Sequence, residues 1–297
     1  MSKPLQPPYS LQSKSAGSSL IDAGLPYLAI KRTSKVHQSV LSIYLSISLK
    51  SATGERVCGL PVILRNLAIE AAIVTREEEM GSEAPKSVVV HVTGFKKFNV
   101  FATNPTETLV SDLRSYIEKT GLPPGVSLGS CTILETAGDG ALATLYKVLE
   151  SSVSSENRLS SKEVVWLHMG LNGGASKFAI ERQAVNEATF SCPDELGWQP
   201  KRLPIVPEDG GLTRTRETVC PADTILDFVK NTKGCDATIS DDAGRFVCNY
   251  VYYHSLRFAE DKGHKSLFVH VPPFSRINEE KQKQFMAALL EAIALSC

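Results

Sequence analysis

The 297-residue sequence lacks an excess of either charge, and it lacks long apolar runs. Its 32 basic side chains balance 32 acidic ones, which argues against nucleic acid or an anionic membrane as the main partner. No apolar run approaches the ~20 residues that a membrane-spanning helix needs, so no such helix is predicted. The chain is long enough to bury roughly three quarters of its unfolded surface, so we expect a sizeable core.

Clustered cysteines are lacking as well. The seven cysteines are an odd, widely spread set with no Cys-x-x-Cys pair: Cys58, Cys131, Cys192, Cys220, Cys235, Cys248 and Cys297. A zinc site or a disulfide framework needs tighter clustering, so we expect no metal and no cofactor. The one Asn-x-Ser/Thr match, at Asn104, has proline in the middle and cannot be glycosylated. A reducing, intracellular compartment fits these absences, and we predict a cytoplasmic protein.

Complete phosphate-binding motifs are lacking too. The glycine loop that begins at Gly170 and reaches Lys177 has no Gly-Lys-Ser/Thr ending, and no helix pattern follows it directly. No Gly-x-Gly-x-x-Gly follows a predicted strand. A nucleotide-binding enzyme therefore remains only as a third hypothesis, which predicts thermal stabilisation by nucleotides.

Residues 1–85 differ in composition from the rest of the chain. Up to Gly54 there is one acidic residue, Asp22, against six Lys/Arg and twelve serines. Such a composition is typical of organelle transit peptides, which would make the protein organellar. A disordered tail or a misassigned start is the favoured interpretation, because Met80 lies just before the first strong strand. We predict an N-terminal extension over 1–85 and a single domain over 86–297.

From Lys86 onward, strand and helix patterns alternate. Predicted strands cover 87–92, 126–135, 162–169, 236–240 and 265–271, and 178–189 is predicted to be extended. Predicted helices cover 105–120, 139–153, 222–231, 244–260 and 278–296, and 191–218 is predicted to be a long loop. This alternation predicts an α/β fold, a three-layer sandwich whose central, mostly parallel but mixed sheet has helices on both faces.

Ligands of such sheets bind beyond the carboxyl ends of the strands. Phe95–Phe98, Gly170–Gly174, Cys248 and His270 all lie at or just past the end of a predicted strand, so they are expected to meet at one crevice. Cys248 lies in the first turn of a predicted helix, where unpaired backbone N–H groups stabilise a thiolate. Cys248 is therefore a candidate nucleophile, with a packing role in a helix–sheet contact as the alternative.

A nucleophilic cysteine needs a base and a group that orients the base. His270 ends an apolar strand and is the candidate base, although a structural role is the alternative for a histidine there. Glu181 is a carboxylate within an otherwise apolar extended stretch, where burial is costly unless the group is paired. It is the candidate orienter of His270, and an ion pair with Arg182 is the alternative.

These residues lie in a pattern that resembles the pyroglutamyl-peptidase I family of cysteine peptidases. The resemblance covers about 86–297, and Lys96-Lys97 is similar to the plant-type members. Five motifs carry it, in the family's order and with close to its spacing: Thr93–Phe98 with Asn104-Pro105, Gly170–Gly174 followed by Glu181, Pro193–Pro200, Ala243–Asn249, and Phe268–Pro272.

The resemblance implies an activity and a set of site residues. Cys248 would be the nucleophile, His270 the general base and acid, and Glu181 the orienting group. The substrates would be peptides with N-terminal pyroglutamate, and the oligomeric state stays open. The residues implied to bind the pyroglutamyl ring are Phe95, Phe98, Phe246, Asn104 and Leu171.

The chain departs from the family around the second phenylalanine. Many members carry Asp-Pro and Gly-Gly where this chain has Lys96-Lys97 and Asn99-Val100. A β-branched Val100 strongly disfavours the positive φ that glycine allows, so the altered loop at 96–100 would change the pocket. The alternative hypothesis is therefore a homologue that binds pyroglutamyl peptides but is impaired in hydrolysis.

Overall fold

The computed structural model describes residues 87–98, 101, 103–155 and 162–297. The predicted extension over 1–85, with its transit-peptide interpretation, lies outside the described residues. Asn99 and Val100 of the altered loop lie outside them too. The domain boundary near residue 86 therefore stays a prediction.

Strands and helices alternate along the described chain, as the sequence pattern predicts. The strands are β1 (Val88–Phe95), β2 (Val126–Leu134), β3 (Glu163–Leu171), β4 (Phe178–Glu181), β5 (Gln183–Val185), β6 (Thr215–Glu217), β7 (Ala237–Ser240) and β8 (Lys265–Val271). The α-helices are α1 (Pro105–Thr120), α2 (Gly138–Ser155), α3 (Ala222–Asp227), α4 (Val247–Lys262) and α5 (Glu279–Ser296). A π-helical turn, Phe228–Thr232, continues α3.

Six of these strands form one mixed sheet in the order β2-β1-β3-β8-β4-β7. β1, β2, β3 and β8 run parallel to one another, whereas β4 pairs antiparallel with β8 and parallel with β7. β5 and β6 form a separate two-stranded antiparallel sheet. The predicted mostly parallel, mixed sheet is confirmed.

Alternation along the central strands divides the core into two layers. On β3, Val165 and Leu167 pack with α1, α3 and α5, whereas Val164 and Trp166 pack with α2 and α4 on the opposite face. The near-continuous apolar runs of β1, β3 and β8 arise because both faces of these strands are covered. The result is the predicted three-layer arrangement.

Two predicted elements differ in detail from the structure. The extended stretch 178–189 is divided at Arg182, so that β4 joins the main sheet and β5 joins the small one. The helix predicted from Gly244 begins only at Val247, because Gly244 has a φ of 81° and Phe246 is extended. These two residues form the turn that leads into α4.

Candidate active site

Cys248 is the second residue of α4, a helix of 16 residues. The first intrahelical bond runs from the Tyr250 N–H to the Phe246 carbonyl at 3.1 Å. The N–H groups of Val247, Cys248 and Asn249 therefore have no acceptor within the helix. The half-buried Cys248 side chain lies at the positive end of the helix dipole, beside these N–H groups.

The start of α4 is fixed by a buried amide. The Asn249 side chain accepts from the Val185 N–H at 2.8 Å and donates to the carbonyls of Val185 and Glu187 at 2.8 and 3.1 Å. Asn249 is fully buried, so these bonds are made away from water. They hold the first turn of α4, and with it Cys248, against β5.

His270 and Glu181 lie on the face of the sheet that α4 covers. On β8, Phe268 packs in the α4 core and His270 is two residues further on the same side; on β4, Phe178 and Ile180 face the other core. Glu181 lies opposite Phe268 in the antiparallel ladder, diagonal to His270. The two side chains are joined by a bond of 2.7 Å between His270 Nδ1 and Glu181 Oε1.

In the structure the Glu181 carboxylate is paired with His270 and not with Arg182. Arg182 instead binds Asp223 and Asp241 at the surface, at 3.2 and 2.9 Å. Glu181 is 2% exposed and His270 is 7% exposed, so the pair is screened from water. Tyr252 also donates a hydrogen bond to the Glu181 carbonyl at 2.9 Å, which fixes the end of β4.

The Cys248 sulfur completes a row of three groups. It makes a hydrogen-bonding contact with His270. Burial alone would lower the pKa of His270, but the contacts with the Cys248 sulfur and with Glu181 outweigh burial and raise this pKa from 6.5 to about 10. The ring is therefore an imidazolium at neutral pH, held between a sulfur and a carboxylate. Such a row can activate a thiol and carry a proton.

A small apolar cavity of about 60 Å³ opens beside the sulfur. It is lined by Phe95, Phe98, Phe101, Asn104, Thr136, Leu171, Phe246, Val247 and Cys248. The structure thus brings all five residues that the resemblance implied for ring binding to one cavity next to Cys248. The Phe246 ring lies 5.0 Å from the Phe98 ring and 4.5 Å from the Phe190 ring, between centroids.

Sequence reasoning missed three of the lining residues, namely Phe101, Thr136 and Val247. Thr136 follows the carboxyl end of β2, so the strand-end rule applied to that strand would have found it. Its hydroxyl donates to the Lys96 carbonyl at 2.7 Å, and the Asn104 amide donates to the same oxygen at 2.9 Å. Asn104 also caps α1 by accepting from the Thr106 N–H at 3.1 Å, so it holds the Phe95–Phe98 loop.

Cys248 does not reach the crevice by the route that the sequence suggested. β7 runs antiparallel to β8, so its carboxyl end points away from the carboxyl ends of β1, β3 and β8. The segment Asp241–Phe246 therefore turns back before α4 begins. The sequence pattern did not fix the direction of β7, and the structure brings Cys248 beside His270 even though β7 and β8 are antiparallel.

The motif Pro193–Pro200 supports the cavity from behind. The buried Asp194 carboxylate accepts from the Gly138 N–H at the start of α2 and from the N–H groups of Leu196 and Trp198, at 2.9, 3.0 and 2.9 Å. The Trp198 ring packs edge-on against Phe190, which in turn packs against Phe246. One carboxylate thus fixes the turn that supports an aromatic wall.

His91 and His168 are packed into the sheet. His168 is fully buried and bridges Thr93 and Ser255, with 2.7 Å to each hydroxyl. Its burial lowers its pKa to about 3. Burial likewise lowers the pKa of His91 to about 4, and its ring stacks on Trp166 at 4.5 Å. Both rings are neutral at physiological pH.

Within the described ranges, no group of three or more His, Cys, Asp or Glu side chains is arranged to hold a metal ion. The helices in those ranges are also too short or too polar to cross a membrane. The glycine loop after β3 leads into β4 rather than a helix, and a Cβ added at Gly170 would lie 2.9 Å from the Cys248 sulfur.

Comparison with known proteins gives a consistent set of similarities. A family model described as pyroglutamyl peptidase matches residues 88–293. The chain is similar to the pyrrolidone-carboxylate peptidase of Pyrococcus furiosus, with 31% identity over 62% of this chain and 80% of the relative. It is 32% identical to that of Klebsiella pneumoniae over 62% of this chain and 77% of the relative.

Solved structures show the same similarity. A mutant pyrrolidone carboxyl peptidase from Pyrococcus furiosus superposes with a TM-score of 0.58 and 29% identity, covering 70% of this chain and 98% of that one. The pyrrolidone carboxyl peptidase from Thermococcus litoralis gives a TM-score of 0.57 and 26% identity, covering 69% and 92%.

Proposed function

We propose that this chain, which belongs to the pyroglutamyl peptidase family of cysteine peptidases, hydrolyses the peptide bond after an N-terminal pyroglutamyl residue. In this proposal Cys248 is the nucleophile, His270 is the general base and acid, and Glu181 orients His270. The observation that carries the proposal is the row formed by Glu181, His270 and Cys248 at the mouth of the aromatic cavity. The substrates are peptides blocked by pyroglutamate.

The first half of the reaction forms a thioester. The Cys248 thiolate attacks the carbonyl carbon of the pyroglutamyl residue, and the carbonyl oxygen becomes an oxyanion. The N–H groups without helical acceptors at the start of α4 are the donors for that oxyanion. The His270 imidazolium gives its proton to the leaving amine as the C–N bond breaks. The peptide departs with a free amino group.

The second half releases pyroglutamate. Neutral His270 takes a proton from a water molecule, and the resulting hydroxide attacks the thioester carbon. The C–S bond breaks and Cys248 leaves as a thiolate, while His270 is again an imidazolium. Glu181 keeps the proton on Nδ1 throughout, so that Nε2 is the atom that exchanges protons, and it stabilises the positive ring.

The cavity supports selection of the pyroglutamyl ring. This ring is a small lactam with no free amine and no charge, so it fits between the phenylalanine side chains without an ionic partner. An ordinary aminopeptidase needs an anionic site for the substrate's ammonium group. No carboxylate lines the cavity among the described residues. We assign Phe95, Phe98 and Phe246 as the walls of the cavity. Asn104 and Leu171 are assigned as further residues that bind the pyroglutamyl ring.

Two finer statements belong to the same proposal. The protein is a plant-type member of the family, on the strength of Lys96-Lys97. It acts in the cytoplasm, which is consistent with its scattered free cysteines. The second candidate function is a binding protein with impaired hydrolysis, for which the motive is the departure from the family at 96–100.

The test uses pyroglutamyl-aminomethylcoumarin. The wild-type protein should release the fluorophore, and the Cys248→Ala protein should not. Cys192→Ala, which removes a half-buried thiol in another loop, is the matched control and should stay active. Iodoacetamide should inactivate the enzyme and chelators should not.

Unchanged release by Cys248→Ala would refute the assignment. Tight binding of pyroglutamyl peptides without any hydrolysis, measured by calorimetry, would favour the binding protein.

A further inference from the structure

The cavity beside Cys248 has room for little more than one small ring, so the rest of a substrate must lie outside it. At about 60 Å³ the cavity has room for a few water molecules or one small ring. A peptide that continues beyond the scissile bond therefore needs a second surface next to the catalytic row. The location of this second surface, where the leaving peptide binds, is inferred on the basis of the proposed function.

A larger hollow of about 390 Å³ adjoins the cavity. We call it the leaving-group groove, and it is lined by Phe101, Thr103, Pro105, Gly173 and the segment Pro273–Arg276. Phe101 lines both hollows, so one aromatic ring separates them. An added Cβ at Gly173 would lie 2.2 Å from that ring, so the glycine lets the loop pass directly against it.

Two chain segments lead from the catalytic row into the groove. Gly173 comes three residues after Gly170, where an added Cβ would lie 2.9 Å from the Cys248 sulfur. Pro273 comes three residues after His270, which gives its proton to the leaving amine in the proposed mechanism. The groove thus begins where the new amino group of the leaving peptide is formed.

The charged side chain in the lining of the groove is positive. Within the described part of the chain, Arg276 is the one charged side chain that lines it, and this exposed guanidinium takes part in no ion pair there. The groove continues past Phe274–Arg276 into a second hollow of about 730 Å³. There Lys233 is paired with Glu291 at 2.7 Å, and Lys281 and Asp236 line the same hollow beyond Arg276. The apolar walls near Phe101 thus lead to an unpaired cation.

We propose that the leaving-group groove binds the residues that follow pyroglutamate, and that Arg276 selects peptides with a carboxylate side chain within the first two of them. Arginine suits this role because its planar fork can bind a carboxylate through two hydrogen bonds. The walls formed by Phe101, Pro105 and Pro273 pack against the aliphatic parts of the same residues. The preferred substrates are acidic pyroglutamyl peptides.

The experiment compares two pairs of amidated tripeptides, pyroglutamyl-Asp-Ala with pyroglutamyl-Asn-Ala, and pyroglutamyl-Ala-Asp with pyroglutamyl-Ala-Asn. Each pair differs by one charge at nearly constant shape, and kcat/KM is measured by mass spectrometry of released pyroglutamate. We expect the wild-type protein to favour the acidic peptide of at least one pair about two- to fivefold, as for an exposed ion pair. Added salt should reduce the ratio.

The variants isolate the charge. Arg276→Gln should bring the acidic-to-amide ratio to about one, whereas Arg276→Lys should keep part of the preference. Lys147→Gln removes an exposed cation from α2, on the opposite face of the sheet, and should keep the full ratio. Because the ratio is taken within each protein, a general loss of activity or folding cancels.

Equal rates for both peptides of each pair in the wild-type protein, or an unchanged preference in Arg276→Gln, would overturn the proposal. Calorimetric binding of the same peptides to the Cys248→Ala protein gives the comparison without turnover. Absence of pyroglutamate release from every peptide would count against the proposed function instead, and the binding ratio would still decide the role of Arg276.

Discussion

Gly170 lies beside His270 in the β3–β8 ladder, and the absence of a side chain at Gly170 makes the space that the Cys248 sulfur occupies. A Cβ at this position would lie 2.9 Å from the sulfur and 2.6 Å from the Phe268 ring. Neither neighbour can yield easily, since Phe268 is fully buried and Cys248 is fixed by the first turn of α4.

The first prediction follows from this contact. Gly170→Ala should displace the sulfur from His270 and lower kcat with pyroglutamyl-aminomethylcoumarin by about 100-fold, because displacements of about 1 Å cost that much. Gly174→Ala, in the loop that follows β3, meets nothing closer than 3.7 Å and is the control. Equal activities of the two variants, both folded by circular dichroism, would contradict the geometry.

The second prediction concerns the charge of Glu181. Glu181→Gln keeps the shape but removes the carboxylate that helps to raise the pKa of His270 to about 10. This pKa should fall, so the alkaline limit of activity should move to lower pH. The rate at neutral pH should drop by roughly 10² to 10⁴, as when the acid of a catalytic triad is neutralised.

A pH–rate profile of the Glu181→Gln protein measures both effects. Arg182→Gln, which removes the neighbouring surface cation, is the control and should keep the wild-type profile. An alkaline limit that stays in place in the Glu181→Gln protein would show that this carboxylate does not act on His270.

The third prediction concerns stability in acid. Buried His168 has a pKa lowered to about 3, whereas the unfolded ring titrates near 6.5. Above pH 6.5 the ring is neutral in both states and its stabilisation is complete. As pH falls from 6.5 towards 3, the unfolded chain binds a proton that the folded protein does not, so the free energy of unfolding drops by about 1.4 kcal/mol per pH unit.

Urea unfolding between pH 7.5 and 5 measures this slope. His168→Asn should be less stable at neutral pH but should show a shallower slope, and an identical slope would exclude the histidine as its source.

The pKa of His270 is shifted in the opposite direction, so its effect on stability has the opposite dependence on pH. Its raised pKa gives a stabilisation that is complete below pH 6.5 and is lost as pH rises through about 10.

The fourth prediction concerns the aromatic wall. Phe246→Ala should open the cavity on the side of Phe98 and Phe190, so that the ring of the substrate loses packing and is less well placed. We expect kcat/KM for pyroglutamyl-aminomethylcoumarin to fall roughly 10- to 100-fold, in line with the ~1.5–3 kcal/mol for burying such a side chain. Phe228→Leu, on the opposite face of the sheet, is the control.

Local patterns were enough to predict the layers, the helices and the three side chains that meet at the candidate active site. Cys248 could be found as a candidate because a cysteine just after a glycine turn at a helix start is a local signal. Glu181 could be found because an isolated carboxylate in an apolar strand needs a partner. His270 could be found because it ends a strand that is otherwise apolar.

Long-range pairing could not be predicted in the same way. The direction of β7 depends on its pairing with β4, a strand of four residues, and on the antiparallel pairing of β4 with β8. The break at Arg182 depends on its surface partners Asp223 and Asp241, which are distant in sequence. The wall added by Phe101 depends on loop closure, for which no local pattern exists.

The Lys96 carbonyl receives two hydrogen bonds, from Asn104 and Thr136, and these shape the loop that carries Phe95 and Phe98. Every amino acid supplies a backbone carbonyl oxygen, so these two hydrogen bonds do not depend on the side chain at position 96. The Lys96 side chain itself points to Glu135 at the surface. A substitution at position 96 that keeps the backbone conformation therefore leaves both hydrogen bonds in place, and the lysine side chain contributes surface charge rather than a contact with the pocket.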